Sequence, residues 1–164
     1  MSPDSYDIRP IGVVHSPFKE AHGTPIQPIA SDAKGTVEVF SEFREGLEDL
    51  EGFSHIFLLT YLHNTSGYSL KVFPFLDTTP RGLFSTRAPR RPNPIGLSIV
   101  DLESVEHGVL HVSSLDLLDK TPVLDIKPYV SRFDLRENVR DGWLESSSLS
   151  PHCTRDDGRF CGKK

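Results

Sequence analysis

Short apolar segments, several with a two-residue period, follow one another along most of the chain. In Gly35–Phe40, Val37 and Val39 alternate with polar Glu38, which is typical of a strand with one buried and one exposed face. Ser54–His63 is continuously apolar, as in a buried strand. Six further segments also favour strands: Pro10–His15, Ser69–Phe75, Gly82–Thr86, Ile95–Val105, Val109–Ser113 and Val123–Tyr129. Hairpin-length links between them predict an all-β fold of about seven strands, either a β-barrel or a compact sandwich.

Two regions depart from the strand pattern. Phe43, Leu47 and Leu50 recur at i, i+4 and i+7, which predicts one short amphipathic helix with a solvated acidic face. From residue 135 onward the sequence is polar, rich in serine and without apolar periodicity. We therefore expect one barrel domain over residues 6–134 and a partly flexible C-terminal extension over residues 135–164.

Charge is distributed unevenly along the chain. The net charge of −5 argues against a polyanionic partner, but Arg81–Gly96 contains four arginines and no acid. The local field of such a basic segment matters more to a polyanion than the total charge. The hydrophobic content of 37% is sufficient for a core.

The composition and the N-terminus bear on location. No apolar stretch approaches the length of a membrane span, and the N-terminus lacks the pattern of a signal peptide. The only cysteines, Cys153 and Cys161, lie in the C-terminal extension, so the core folds without a disulfide. These features predict a cytoplasmic protein with no membrane partner.

Several common ligand motifs are missing from the sequence. It contains no Gly-x-Gly-x-x-Gly after a strand and no Walker loop, so neither of these nucleotide cradles is expected. His152, Cys153 and Cys161 could in principle bind a soft metal, but their spacing in a polar segment does not match a zinc site. We expect no metal.

The segment Ser85–Ser98, here called the arginine–proline segment, has the most distinctive chemistry. Three prolines within six residues stiffen its backbone. Its arginines are planar, permanently charged donors that suit carboxylate or phosphate, and Asn93 offers both a donor and an acceptor. These features favour an anion site over the alternative, a surface loop whose arginines pair with the acidic helix.

Other polar positions leave alternatives open. His63 and Asn64 either mark the exit of a strand to solvent or line a pocket at the barrel rim. Asp125 and Lys127 share a face if their segment is a strand, and could form a neutral pair. Asp119 is expected to form a turn.

Four blocks of the sequence resemble the signature blocks of the TsaA-like family, whose best understood members are the TrmO tRNA methyltransferases. The blocks are Ser16–Lys19, Gly52–Ile56, Thr86–Gly96 and Thr121–Tyr129. The resemblance extends from about Ile8 to Phe133. It implies a small β-barrel that binds S-adenosylmethionine, forms a homodimer with the cofactor near the subunit interface, and methylates N6 of threonylcarbamoyl-adenosine beside the anticodon of tRNA.

The resemblance also implies two sets of site residues. The cofactor site comprises Gln27, Pro28, Ile29, His63, Asn64, Arg87, Leu97, Leu115 and Asp116. In this set Arg87 would bind a carboxylate, apolar side chains would cover the adenine, and backbone groups near Leu115 would read its edge. Substrate tRNA would contact Arg90, Arg91 and Asn93. The sequence does not decide whether His63 or Asp125 accepts a proton.

Two departures from the family leave other functions open. Lys120 replaces the glycine usual in the family, which costs roughly 1 kcal/mol if its φ is positive. Many bacterial members have a second C-terminal domain, whereas here Arg155, Arg159, Lys163 and Lys164 of the extension are the candidates for docking tRNA. The alternatives are a methyltransferase of the same fold with another acceptor, and a non-catalytic barrel that binds a cofactor or nucleic acid.

Overall fold

The computed structural model describes residues 5–161, and eight strands lie within them. The strands are β1 (Gly12–His15), β2 (Gly35–Val39), β3 (His55–Tyr61), β4 (Lys71–Val72), β5 (Arg81–Gly82), β6 (Ile95–Glu106), β7 (Val109–Ser113) and β8 (Pro122–Pro128). Six of them close into an antiparallel barrel in the order β1-β2-β7-β6-β3-β8. The predicted all-β barrel is therefore confirmed, with six strands in its wall.

The barrel interior is filled by the inward-facing half of each strand. Val37 and Val39 of β2 point inward and are almost fully buried, as their alternation with Glu38 predicts. In β3, Ile56 and Leu58 are fully buried, whereas Phe57 and Leu59, which alternate with them, are only partly buried. The continuous apolar character of β3 therefore supplies both the core and an apolar outer face.

The predicted short helix is present as a 3-10 helix over Ser41–Leu47. A second 3-10 helix covers Leu50–Gly52, and Asp49 between the two has a left-handed backbone with φ of 65°. Leu47 and Leu50 are buried in the main apolar core, as the amphipathic spacing predicts. The left-handed residue prevents one continuous helix.

The strands predicted over Ser69–Phe75 and Gly82–Thr86 are wrong in extent. The strands observed in these regions, β4 and β5, have two residues each and pair only with each other, outside the barrel. Pro74 lacks a backbone donor, which limits further pairing. After β5 the chain turns into a 3-10 helix over Leu83–Ser85, which Thr86 closes by donating its amide and its hydroxyl to the carbonyl of Leu83.

The chain after β8 contains a one-turn helix, α1 (Ser131–Asp134), and a 3-10 helix over Gly142–Ser146. Its last described part packs beside β4 and β5, where Phe160 is buried. The backbone of Asp156 exchanges two hydrogen bonds with Gly23 and Thr24. Lys163 and Lys164 lie outside the described residues.

Among residues 5–161, no helix is long and apolar enough to cross a membrane.

Candidate functional site

A cleft of about 1100 Å³ lies beside β6, between the loop that joins β1 to β2 and the C-terminal extension. We call residues 16–34 the first loop. Eight of the nine side chains expected at a cofactor site line this cleft: Gln27, Pro28, Ile29, His63, Asn64, Arg87, Leu97 and Asp116. They come from four separate stretches of sequence, which only the closed barrel brings together.

The first loop presents its residues through a short 3-10 helix, Pro28–Ala30. Proline at its first position fixes the backbone angle that the helix needs. Ser31 anchors the end of this helix by donating its hydroxyl to the carbonyl of Leu115. As a result Pro28 is buried while Ile29 remains 72% exposed at the cleft.

Arg87 joins the arginine–proline segment to the first loop. Its Nη1 donates to the side-chain oxygen Oε1 of Gln27 over 2.6 Å. Only one arm of the guanidinium is used in this bond, so the other nitrogens can donate to a ligand in the cleft.

Asp116 supplies a carboxylate to the same cleft. The hydroxyl of Ser98 donates to its Oδ1 over 2.7 Å. Burial raises the pKa of Asp116 to about 6, while the bond from Ser98 and the positive charge of Arg87 act in the opposite direction. Asp116 is therefore mostly ionised at pH 7, yet close enough to its pKa to gain a proton in mild acid.

His63 and Asn64 lie at the cleft, which decides between the two interpretations that the sequence left open. Burial lowers the pKa of His63 below its usual 6.5. The imidazole is accordingly neutral at pH 7 and has one nitrogen that can accept a proton.

Arg91 stabilises the arginine–proline segment from within. Its Nη1 donates to the carbonyl oxygens of Leu83, Thr86 and Ala88 over 3.4, 3.0 and 3.2 Å. Its guanidinium carbon also lies 5.6 Å from the ring centroid of Phe84. Arg91 lines the cleft, and these three bonds, all from Nη1, hold the backbone of the segment in place.

Arg90 and Asn93 lie outside the cleft lining. Arg90 donates its Nε to the carbonyl of Ser66 over 3.1 Å, and the backbone carbonyl of Asn93 accepts the amide of Ile95. Within residues 5–161, neither Arg90 nor the other two arginines of this segment forms a salt bridge. The alternative in which they pair with the acidic helix is therefore not what the structure shows.

The structure does not bring Leu115 into the cleft. Its side chain is fully buried in the barrel core. Its amide donates to the carbonyl of Ala33, and its own carbonyl accepts the hydroxyl of Ser31. Both backbone groups are thus already used to hold the first loop, and the neighbouring Asp116 faces the cleft instead.

Two further expectations from the sequence concern carboxylates away from the cleft. Asp125 and Lys127 form the predicted pair, with Nζ 2.8 Å from Oδ2. Asp119 accepts the amide of Ser16 and the ammonium of Lys19, so it fastens a turn to the first loop. Neither carboxylate lines the cleft. Among the described residues there is also no cluster of three or more metal-ligating side chains.

Four cleft residues could not be predicted from the sequence, and three of them lie in the C-terminal extension. These are Trp143, Leu144 and Phe160; the fourth, Phe84, belongs to the 3-10 helix after β5. The available signal was the occurrence of large apolar side chains, including the only tryptophan, in an otherwise polar segment. Such residues indicate packing against a folded surface.

Comparison with known proteins gives consistent relatives. A probable S-adenosyl-L-methionine-binding protein of Pyrococcus abyssi is 54% identical over 93% of this chain and 83% of its own length. The human tRNA (adenine(37)-N6)-methyltransferase is 39% identical over 80% of this chain, which covers 32% of that enzyme. A crystal structure of TrmO from Pseudomonas aeruginosa is 41% identical with a TM-score of 0.75, covering 90% of this chain and 65% of that one.

This chain therefore spans most of the archaeal relative, about a third of the human one and less than two thirds of the TrmO chain. The family model described as the tRNA-methyltransferase O N-terminal domain matches residues 13–135. That match covers all of the barrel except the first residue of β1 and confirms the resemblance to TsaA-like proteins. The chain belongs to the family of the tRNA-methyltransferase O N-terminal domain.

Proposed function

We propose that this chain is an S-adenosylmethionine-dependent tRNA methyltransferase that methylates N6 of threonylcarbamoyl-adenosine next to the anticodon. The observation that carries the proposal is the convergence of Arg87, Asp116 and His63 on one cleft of a TrmO-type barrel. The S-adenosyl-L-methionine-binding relative supports the choice of cofactor, and the human tRNA methyltransferase supports tRNA as the substrate. Because tRNA is the substrate, we place the protein in the cytoplasm.

The cleft fits the chemistry of the cofactor. S-adenosylmethionine carries an anionic carboxylate, cationic ammonium and sulfonium groups, and an apolar adenine face. Arg87 has guanidinium donors free for the carboxylate, and Asp116 supplies a negative charge for the cationic part. Ile29 and Leu97, which are 72% and 52% exposed, can cover the adenine.

When bound, the cofactor supplies an electrophilic methyl group on its sulfonium. The contribution of the chain is mainly to orient both reactants, since holding them within reacting distance supplies a large part of such a rate enhancement. Ser31 anchors the first loop and Arg91 anchors the arginine–proline segment, and both bonds help to position the cleft residues.

The acceptor nitrogen loses its proton during the transfer. His63 is neutral and lies at the cleft, whereas Asp125 lies elsewhere and is paired with Lys127. We therefore assign His63, and not Asp125, as the group that receives this proton. Arg90, which is half-buried, and Asn93, which is exposed, lie outside the cleft lining and are suited to the phosphates and base edges of the tRNA.

A homodimer accompanies the proposed function. Tyr61 of β3 and Ile95 and Ile99 of β6 form an exposed apolar strip on the outer face of the barrel, and Ile95 and Ile99 also line the cleft. Such an exposed apolar strip favours association with a second copy. Analytical ultracentrifugation tests this expectation, and a monomer at all concentrations would contradict it.

Mass spectrometry of tRNA nucleosides after incubation with the protein and cofactor tests the reaction. Methylation of threonylcarbamoyl-adenosine is the expected result. Methylation of another nucleoside alone would replace the substrate, and cofactor binding without any transfer would instead favour a non-catalytic binding barrel.

Arg87→Ala tests the location of the site. We expect the Kd for S-adenosylmethionine to rise by about 100-fold, because a charged, multiply bonded carboxylate contact is lost. Arg132→Ala is the matched control, since Arg132 is exposed on α1 and does not line the cleft. Unchanged affinity in Arg87→Ala would show that the cofactor binds elsewhere.

A further inference from the structure

Two short 3-10 helices meet at the rim of the cleft, and each carries an aromatic side chain into its lining. One is Leu83–Ser85 with Phe84, and the other is Gly142–Ser146 with Trp143. The indole Nε1 of Trp143 donates to the carbonyl of Ser85 over 2.8 Å, which joins the two helices directly. We call Phe84 and Trp143 the aromatic platform.

Phe84 is 74% exposed and lines the cleft. In the same region Phe160 is buried and packs edge-on against Phe75, with ring centroids 5.2 Å apart. Unlike other exposed phenylalanines such as Phe133, Phe84 lies in the cleft lining, where a flat ligand would remove its apolar area from water.

Arg91 supports the ring of Phe84 from one face. Arg91 lies over it at 5.6 Å and is itself held by three backbone carbonyls. Trp143 is similarly backed by the guanidinium of Arg81, 5.5 Å from its ring, and Arg81 is paired with Asp77. A preorganised ring loses little entropy when a flat ligand stacks on it.

The surroundings of the platform indicate which flat ligand it fits. Arg87, Arg90 and Arg91 follow Phe84 closely in sequence and form no salt bridge within the described residues, so their charge is available to an anion. Aromatic rings interleaved with unpaired arginines are typical of surfaces that bind single-stranded nucleic acid, in which bases stack and phosphates meet the cations.

We propose that Phe84 and Trp143 form a stacking platform for an unpaired base of the RNA acceptor, so that the C-terminal extension completes the substrate side of the site. This inference rests on the proposed function, because it takes the acceptor to be RNA. It gives Phe84 and Trp143 a positioning role, distinct from the cofactor contacts of Arg87 and Asp116.

The first test uses the fact that Trp143 is the only tryptophan in the chain. An RNA hairpin with an unpaired loop is titrated into the protein, and binding is followed in parallel by the anisotropy of a labelled copy. We expect saturable quenching of the Trp143 emission by the hairpin, and none by a fully paired duplex of equal length. Hairpin binding that leaves the emission unchanged would overturn the proposal.

The second test compares variants of Phe84 in the methylation assay. Phe84→Ala is expected to raise the KM for tRNA by about 5- to 100-fold, the range of a lost stacking contact, with the Kd for S-adenosylmethionine unchanged. Phe84→Tyr should restore the wild-type KM, and Phe84→Leu should not. Phe133→Ala is the matched control, because Phe133 is 69% exposed but does not line the cleft.

Equal KM values for Phe84→Ala and Phe133→Ala would overturn the platform, as would full rescue by leucine. The two proposals fail in different ways. Absence of methylation by the wild-type protein would contradict the proposed function. The fluorescence titration depends only on RNA binding and would still test the platform.

Discussion

The barrel and the wall of its cleft are held together by different forces. The barrel core is one large cluster of buried aliphatic side chains, among them Val14, Ile56 and Leu58, each fully buried. The cleft wall, here meaning the first loop, residues 71–98 and the C-terminal extension, contains a much smaller apolar cluster of four buried residues: Val72, Leu83, Ala88 and Phe160. Most of its remaining attachment consists of single hydrogen bonds to backbone carbonyls.

This difference separates stability from function in the molecule. Burial of aliphatic area is a large, cooperative contribution to the free energy of unfolding. Individual hydrogen bonds contribute about 1 kcal/mol each, but they specify geometry. Changes in the barrel should therefore unfold the protein as a whole, while changes in the wall should loosen it locally and alter binding.

The largest effect is expected from Leu58→Ala in the barrel. Leu58 is fully buried on β3, and the closed sheet cannot collapse around the cavity that alanine would leave. We expect the free energy of unfolding to fall by about 3 kcal/mol or more, measured by chemical denaturation. Leu135→Ala, at an exposed leucine, should change it by less than about 0.5 kcal/mol. Equal effects of the two would contradict the division between core and periphery.

Phe160→Ala tests whether the cleft wall can loosen while the barrel stays folded. Loss of the ring that packs on Phe75 should make local opening of the extension easier by about 2 kcal/mol, while the unfolding of the barrel changes little. Hydrogen exchange at the amide of Asp156, which donates to Thr24, should accelerate by about 30-fold. Leu149→Ala, at an exposed leucine of the same extension, is the control. An equal loss of stability throughout the barrel would mean that wall and barrel unfold together.

The same contrast explains which features could be predicted from the sequence. Alternation in β2 and the apolar run of β3 report burial directly, so the barrel strands were located to within a few residues. The resemblance to TsaA-like proteins supplied most of the cleft residues. β4 and β5 were overestimated, because apolar residues such as Leu83 are buried there from a 3-10 helix and not from a strand.

The remaining features depend on contacts between distant segments. Such contacts leave no hydrophobic periodicity in the sequence from which they could be predicted. Leu115 and Asp116 are neighbours in the sequence, yet the side chain of Leu115 is buried in the barrel core and that of Asp116 lines the cleft. Trp143 meets Ser85 across 58 positions, so its place in the cleft could not be inferred from the polar residues around it.

Asp116→Asn examines the electrostatics of the cleft. Below about pH 6 Asp116 gains a proton and loses its attraction for a cationic cofactor, so the affinity for S-adenosylmethionine should rise by about 10-fold between pH 5 and pH 7. The same raised pKa means that the native state binds this proton more tightly than the unfolded chain. The free energy of unfolding should therefore fall as pH rises from about 4 to about 6.

In Asp116→Asn both pH dependences should be reduced. Burial also lowers the pKa of His63, and His63 is present in both proteins, so the difference between the wild-type and variant profiles, measured by calorimetry, isolates the contribution of Asp116. Identical profiles would show that Asp116 does not contact the charged part of the cofactor.

The smallest effect is expected at Lys120, where the barrel and the wall are joined. Lys120 has a left-handed backbone with φ of 64°, and its amide donates to the carbonyl of Val14 on β1. Glycine adopts this conformation without the steric cost that lysine incurs, so Lys120→Gly should raise the free energy of unfolding by up to about 1 kcal/mol. Lys120→Ala removes the charge but keeps the strain, and should give no gain. If alanine stabilised the protein as much as glycine, the charge of Lys120 and not its backbone would be the unfavourable feature of this junction.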